Sequence, residues 1–85
     1  MTYEDWLDEA KSGCTRVLLK YPGSGEVIAP IRKHIRFALE RPDLANVEKT
    51  VKQTIGRMTA AAVNYPDFQE DFMPIVEKAR ARWGE

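Results

Sequence analysis

Apolar residues recur along this chain at helical spacing, in four separate runs. In the first, Tyr3, Leu7, Ala10, Cys14, Val17 and Tyr21 are separated alternately by four and three residues. That spacing lines one stripe of a helix, and Trp6 and Leu18 widen it on either side. Thr2 stands where an N-cap belongs, with Asp5 at the third helical position to complete a reciprocal capping pair. The pattern predicts a first helix over about residues 3–20. Gly13 weakens that helix by about 1 kcal/mol relative to Ala, and it leaves room for a close neighbour.

Pro22-Gly23-Ser24-Gly25 then reads as a turn. Val27, Ile28, Ile31, Ile35, Ala38 and Leu39 share one face of a second helix. Pro30 lies inside that run. With an early helix start it removes one backbone hydrogen bond and kinks the helix. At the first helical position it would instead leave residues 23–29 as an irregular connector. The expectation is an early start with a kink at Pro30, and likewise at Pro74. Arg41-Pro42 ends the second helix, because the residue before a proline disfavours helix. Leu44, Val47, Val51, Ile55, Met58 and Ala62 form the third seam, capped by Asp43 or Asn46 and stopped by Asn64. Phe68, Phe72, Ile75, Val76, Ala79 and Trp83 form the fourth. Asp67 and Glu70 have capping-box spacing, which starts the fourth helix before Pro74, and Gly23 and Glu26 stand at the equivalent positions of the second.

Tyr21-Pro22, Glu26 and Pro30-Ile31 return 44 residues later as Tyr65-Pro66, Glu70 and Pro74-Ile75. Laid on itself at that offset the chain shows eight identities in 41 pairs, where composition alone gives roughly two or three. The repeat predicts two tandem helix–elbow–helix hairpins, residues 3–41 and 47–85, within a single helical domain spanning 1–85. Two units are too few for a solenoid. The expected fold is therefore all-α, a four-helix bundle built by internal duplication.

Charge narrows the function classes. Thirteen basic and thirteen acidic residues cancel, so no global field draws the chain to nucleic acid or an anionic surface. One cysteine excludes an internal disulfide framework and fits a reducing compartment. The acidic N-terminal residues are the opposite of a signal peptide, and no apolar run reaches membrane-spanning length. The expected location is cytoplasmic, with no membrane partner.

Catalytic chemistry finds little support. Cys14 and His34 are the only soft ligands, and neither has another at metal-ligand spacing. Cys14 lies mid-seam, where nothing lowers a thiol pKa. Gly23-Ser24-Gly25 lacks the spacing and the lysine of a phosphate loop. Carboxylates crowd into first turns, where capping accounts for them, and none falls on a clearly apolar face. The reading is a non-enzyme with no cofactor, no metal and no evident small-molecule substrate.

Two features point to binding. Arg32, Lys33 and Arg36 fall on the side of the second helix that its seam leaves free, and Phe37 stands at their margin. An aromatic beside cations can anchor an acidic protein partner, or grip phosphates and stack a base. Leu19 and Val63 hold equivalent off-seam positions before the two elbows and suggest a paired apolar patch at one end. The expected function is a protein-interaction module, a small subunit or regulator of a larger assembly that binds another protein or itself. The alternative is a small nucleic-acid-binding protein using the basic face of the second helix.

Overall fold

Each helix forms where an apolar stripe coincides with a local start signal. A computed structural model describes residues 1–84. Helix α1 spans Tyr3–Lys20, α2 Gly25–Glu40, α3 Val47–Asn64 and α4 Gln69–Trp83. Thr2 and Asp5 make the reciprocal capping box of α1. Asn46 caps α3, its Oδ1 accepting from the Lys49 amide at 2.9 Å. Gly84 closes α4 in the left-handed conformation, its amide donating to the Arg80 carbonyl at 2.8 Å.

The two elbows differ from expectation in how they start their helices. No side-chain cap forms at α2 or α4, so Gly23/Glu26 and Asp67/Glu70 are not capping boxes. A 3₁₀ turn precedes each helix instead, over Pro22–Ser24 and Pro66–Phe68. Within these turns the Ser24 and Phe68 amides donate to the Tyr21 and Tyr65 carbonyls, both at 2.9 Å. The turn leads the chain into each helix through backbone bonds rather than a side-chain cap. Pro30 and Pro74 both lie inside their helices. The carbonyls they leave without an amide belong to Glu26 and Glu70, exposed residues at which water can substitute.

An offset of 44 carries α1 onto α3 bound for bound and Pro30 onto Pro74. Tyr21 and Tyr65 share nearly the same backbone angles, φ −130° with ψ 80° and 85°. This is a likeness of local geometry, which common turn chemistry produces with or without shared descent. The last residue of the second unit, Glu85, lies outside the described residues.

The chain runs up, down, up and down. Helix α1 packs beside α2 and α4, α3 packs beside the same two, and α1 meets α3 across the middle. Both elbows therefore lie at one end, where the Tyr21 and Phe68 rings approach to 5.7 Å. At the other end Tyr3 stacks on Trp83 at 4.5 Å, tying the start of α1 to the end of α4. One core joins all four helices, with Trp6, Leu7, Ile28, Ile35, Met58 and Phe72 fully buried. The buried indole of Trp6 donates from Nε1 to the Ile75 carbonyl at 2.8 Å. Buried Thr54 returns its hydroxyl to the Thr50 carbonyl at 2.7 Å, so its polar atom is satisfied within α3.

Leu44 departs from its predicted seam. It lies in the α2–α3 connection, its amide and that of Ala45 donating to the Arg41 carbonyl, and it is 64% exposed. Among the described residues no helix is long and apolar enough to cross a membrane.

Candidate interaction surface

The helical period turns Ala29, Arg32, Lys33, Arg36, Phe37 and Glu40 away from the core side of α2. Together with Leu18 of α1 they line a shallow basin of about 540 Å³. The structure thus brings together the four residues picked out on this helix. It adds Leu18 and Ala29 as apolar floor and Glu40 as the one acidic wall.

The cations of this basin are poorly matched internally. Arg36 Nη2 lies 3.8 Å from Glu40 Oε1, a loose pair one turn apart. Neither Arg32 nor Lys33 has an ion-pair partner among the described residues, and the Arg32 Nε is a buried nitrogen without an acceptor. Such a donor forgoes a hydrogen bond that a ligand or water can restore. Phe37 is 49% exposed, which separates it from core phenylalanines such as Phe72 at 0%. It also forms one wall of a smaller hollow of about 200 Å³ beside His34 and Lys49. There His34 Nε2 and Gln53 Oε1 are 2.9 Å apart, linking α2 to α3.

Leu19 and Val63 are exposed by 77% and 70%, and they are not brought together. Each stands roughly opposite the buried stripe of its own helix. Since α1 and α3 hold diagonal corners of the bundle, the two side chains point apart. The paired patch suggested by the sequence does not form. A third hollow of about 360 Å³ between α2 and α3 contains Pro30, Arg57, Ala60 and Tyr65.

Helix α4 carries a second polar feature, Asp71. It is buried on the α1 side, against the expectation that no carboxylate falls on an apolar face. Arg16 Nε donates to its Oδ1 at 3.3 Å, and Lys20 Nζ donates to its Oδ2 at 3.1 Å. The hydrogen bond to Asp71, with smaller opposing desolvation, raises the Lys20 pKa. A second link, Lys78 Nζ to Glu9 Oε1 at 2.6 Å, lies further along the same interface. Both links clasp α1 to α4, and the side-chain partners of Asp71 are both cations of α1.

Cys14 is buried, and burial pushes its thiol up to about 11, slightly offset by nearby Arg32. Among the described residues no group of three His, Cys, Asp or Glu side chains is placed to hold a metal ion. Comparison with known proteins adds no relative: no family model matches the chain, and no curated protein or solved structure matches it significantly.

Proposed function

We propose that this chain is a non-enzymatic protein-interaction module, a small subunit or regulator of a larger cytoplasmic assembly, which docks its partner on the outer face of α2. The observation that carries the reading is the basin itself. Three cations, two of them without an acidic partner among the described residues, surround a half-exposed phenylalanine over an apolar floor. Aromatic and arginine side chains in a desolvated setting supply most of the energy of protein interfaces. Unmatched cations favour an acidic partner and speed its approach. A single-stranded nucleic acid also uses cations beside an aromatic ring. Glu40 within the basin and the zero net charge weigh against that alternative.

Photocrosslinking tests the reading. Benzoylphenylalanine replaces Phe37 in the full chain, with the same probe at exposed Glu77 on α4 as control. In native lysate the expected result is a discrete protein adduct at position 37. It should resist nuclease, be absent at position 77, and disappear when Arg36→Glu is added. An adduct that nuclease removes would transfer the site to the nucleic-acid alternative. No adduct specific to position 37 would refute a docking role for this face.

A further inference from the structure

Resting on that reading of α2, we propose that the partner is an acidic helix laid lengthwise along it, as a fifth helix on the bundle. The argument begins with spacing. Ala29, Lys33, Arg36 and Glu40 follow one another at intervals of four, three and four residues. That is the interval of a helix-packing seam, repeated here on the outer face of a helix whose inner face is already used. Arg32 and Phe37 flank it as the edges of a packing seam do.

Shape agrees with spacing. From Ala29 to Glu40 the seam extends about 16 Å at the helical rise per residue. The basin of about 540 Å³ is open to solvent and is lined from one end of that seam, Ala29, to the other, Glu40, as a groove receiving side chains from a body resting above it would be. Ala29 is the small residue that lets a second backbone come close, while Leu18 and Phe37 offer apolar contact on either side.

Charge fixes the chemistry of the facing row. Lys33 and Arg36 occupy the middle of the seam with Arg32 beside them, and none is matched by more than the loose Glu40 pair. A helix carrying carboxylates at the same four- and three-residue intervals places them over the cations together. An extended acidic segment turns alternate side chains to opposite faces and presents only half of them. The partner class is therefore a helix with an acidic stripe bordered by apolar residues.

The test uses three fluorescent probes titrated against the whole protein by anisotropy. The first is an alanine-rich helical peptide with glutamates at i, i+4 and i+7 and leucines flanking that stripe. The second has the same composition with the glutamates distributed around the helix. The third is a random single-stranded DNA of 15 nucleotides. The striped peptide should bind at least tenfold more tightly than the second. Lys33→Glu combined with Arg36→Glu should abolish the difference while leaving the urea midpoint unchanged. Equal binding of both peptides, lost in the charge-reversed protein, overturns the helix inference and leaves α2 as an acidic-protein surface. Peptide binding that is undetectable or indifferent to the reversal overturns both. DNA bound more tightly than either peptide does the same and moves the face to nucleic acid.

Discussion

Replacing Gly13 by Ala should destabilise the fold in the wild-type background and stabilise it once Ile75 is shortened to Val. A Cβ added at Gly13 would stand 2.5 Å from Ile75 Cδ1, with Arg16 Nη2 and the Asp71 carbonyl at ordinary contact distances of 3.5 and 3.8 Å. Ile75 is 4% exposed, so its terminal methyl has little free space to move into. Helix propensity favours Ala by about 0.8–1.0 kcal/mol. Overpacking a filled core costs about 1–3 kcal/mol. The net expectation is a loss of about 1 kcal/mol. Ile75→Val removes the obstructing atom and costs about 0.5–1.5 kcal/mol by itself. Added to that variant, Gly13→Ala should recover most of the propensity gain, giving a coupling of about 1–2 kcal/mol between the sites. Equilibrium urea unfolding followed by far-UV circular dichroism measures all four corners of the cycle, with an unchanged m-value as the check on two-state behaviour. Stabilisation by Gly13→Ala in the wild type would show that α1 and α4 are not in contact there. Equal destabilisation in both backgrounds would place the obstruction somewhere other than Ile75.

Phe37→Ala should lower stability by no more than about 1 kcal/mol, since half its ring is already exposed and full burial is worth about 1.5–3 kcal/mol. Phe72→Ala, in the same urea assay, should lose about 3–5 kcal/mol. For binding, Phe37→Ala should weaken an acidic helical partner by about 2 kcal/mol, read by the same anisotropy titration. Asp71→Asn should cost about 1–2 kcal/mol by weakening two charge-assisted hydrogen bonds. Arg16→Ala should cost less when added to Asp71→Asn than when made alone, because the two changes remove one shared interaction. Cys14 should resist a thiol reagent at neutral pH without denaturant; labelling within seconds would place it outside the core. Because burial holds its folded pKa at about 11 against an ordinary 9.0, the unfolded chain loses this proton first as pH rises. Stability should therefore fall between about pH 9 and 11, by roughly 2–3 kcal/mol for this group. Cys14→Ala should flatten that part of the pH profile.

The features that the sequence made legible are those decided within one or two helical turns. The capping pair at Thr2 and Asp5, and the α3 cap that Asn46 rather than Asp43 supplies, each depend on near neighbours. The inner faces followed from period alone, because an apolar stripe on a helix has one low-energy destination. Leu44 was misplaced for a related reason: it continues the spacing of α3 backward through residues whose amides are taken up by the Arg41 carbonyl in a turn. Periodicity does not register that a helix has yet to begin. The elbows illustrate a second ambiguity. Asp67 and Glu70 have capping-box spacing, but the chain enters α4 through a 3₁₀ turn whose backbone bonds serve the Phe68 and Gln69 amides instead, and the sequence is compatible with either device.

What lay beyond reach was the pairing of faces. Asp71 sits in a helix's first turn, where a carboxylate is ordinarily a surface residue favoured by the helix dipole. It is buried here only because α1 passes beside that turn and supplies Arg16 and Lys20, which stand 55 and 51 residues earlier. The basin on α2 is intermediate. Its cations and Phe37 could be assigned to the outer face by angle, yet Leu18 joins them through the packing of α1 against α2. Leu19 and Val63 fail for the converse reason: equivalent positions on diagonal helices diverge in space. The contrast bears directly on function. Arg16 and Lys20 find their acid inside the fold, whereas Arg32 and Lys33 find none among the described residues. Cations of the first kind hold the bundle together; cations of the second kind do not, and on the reading proposed for this face their counterpart lies on another molecule. Lys11, Lys49 and Arg57 also have no ion pair among the described residues. It is therefore the gathering of three cations around the half-exposed Phe37 in one basin, more than unmatched charge alone, that marks the α2 face.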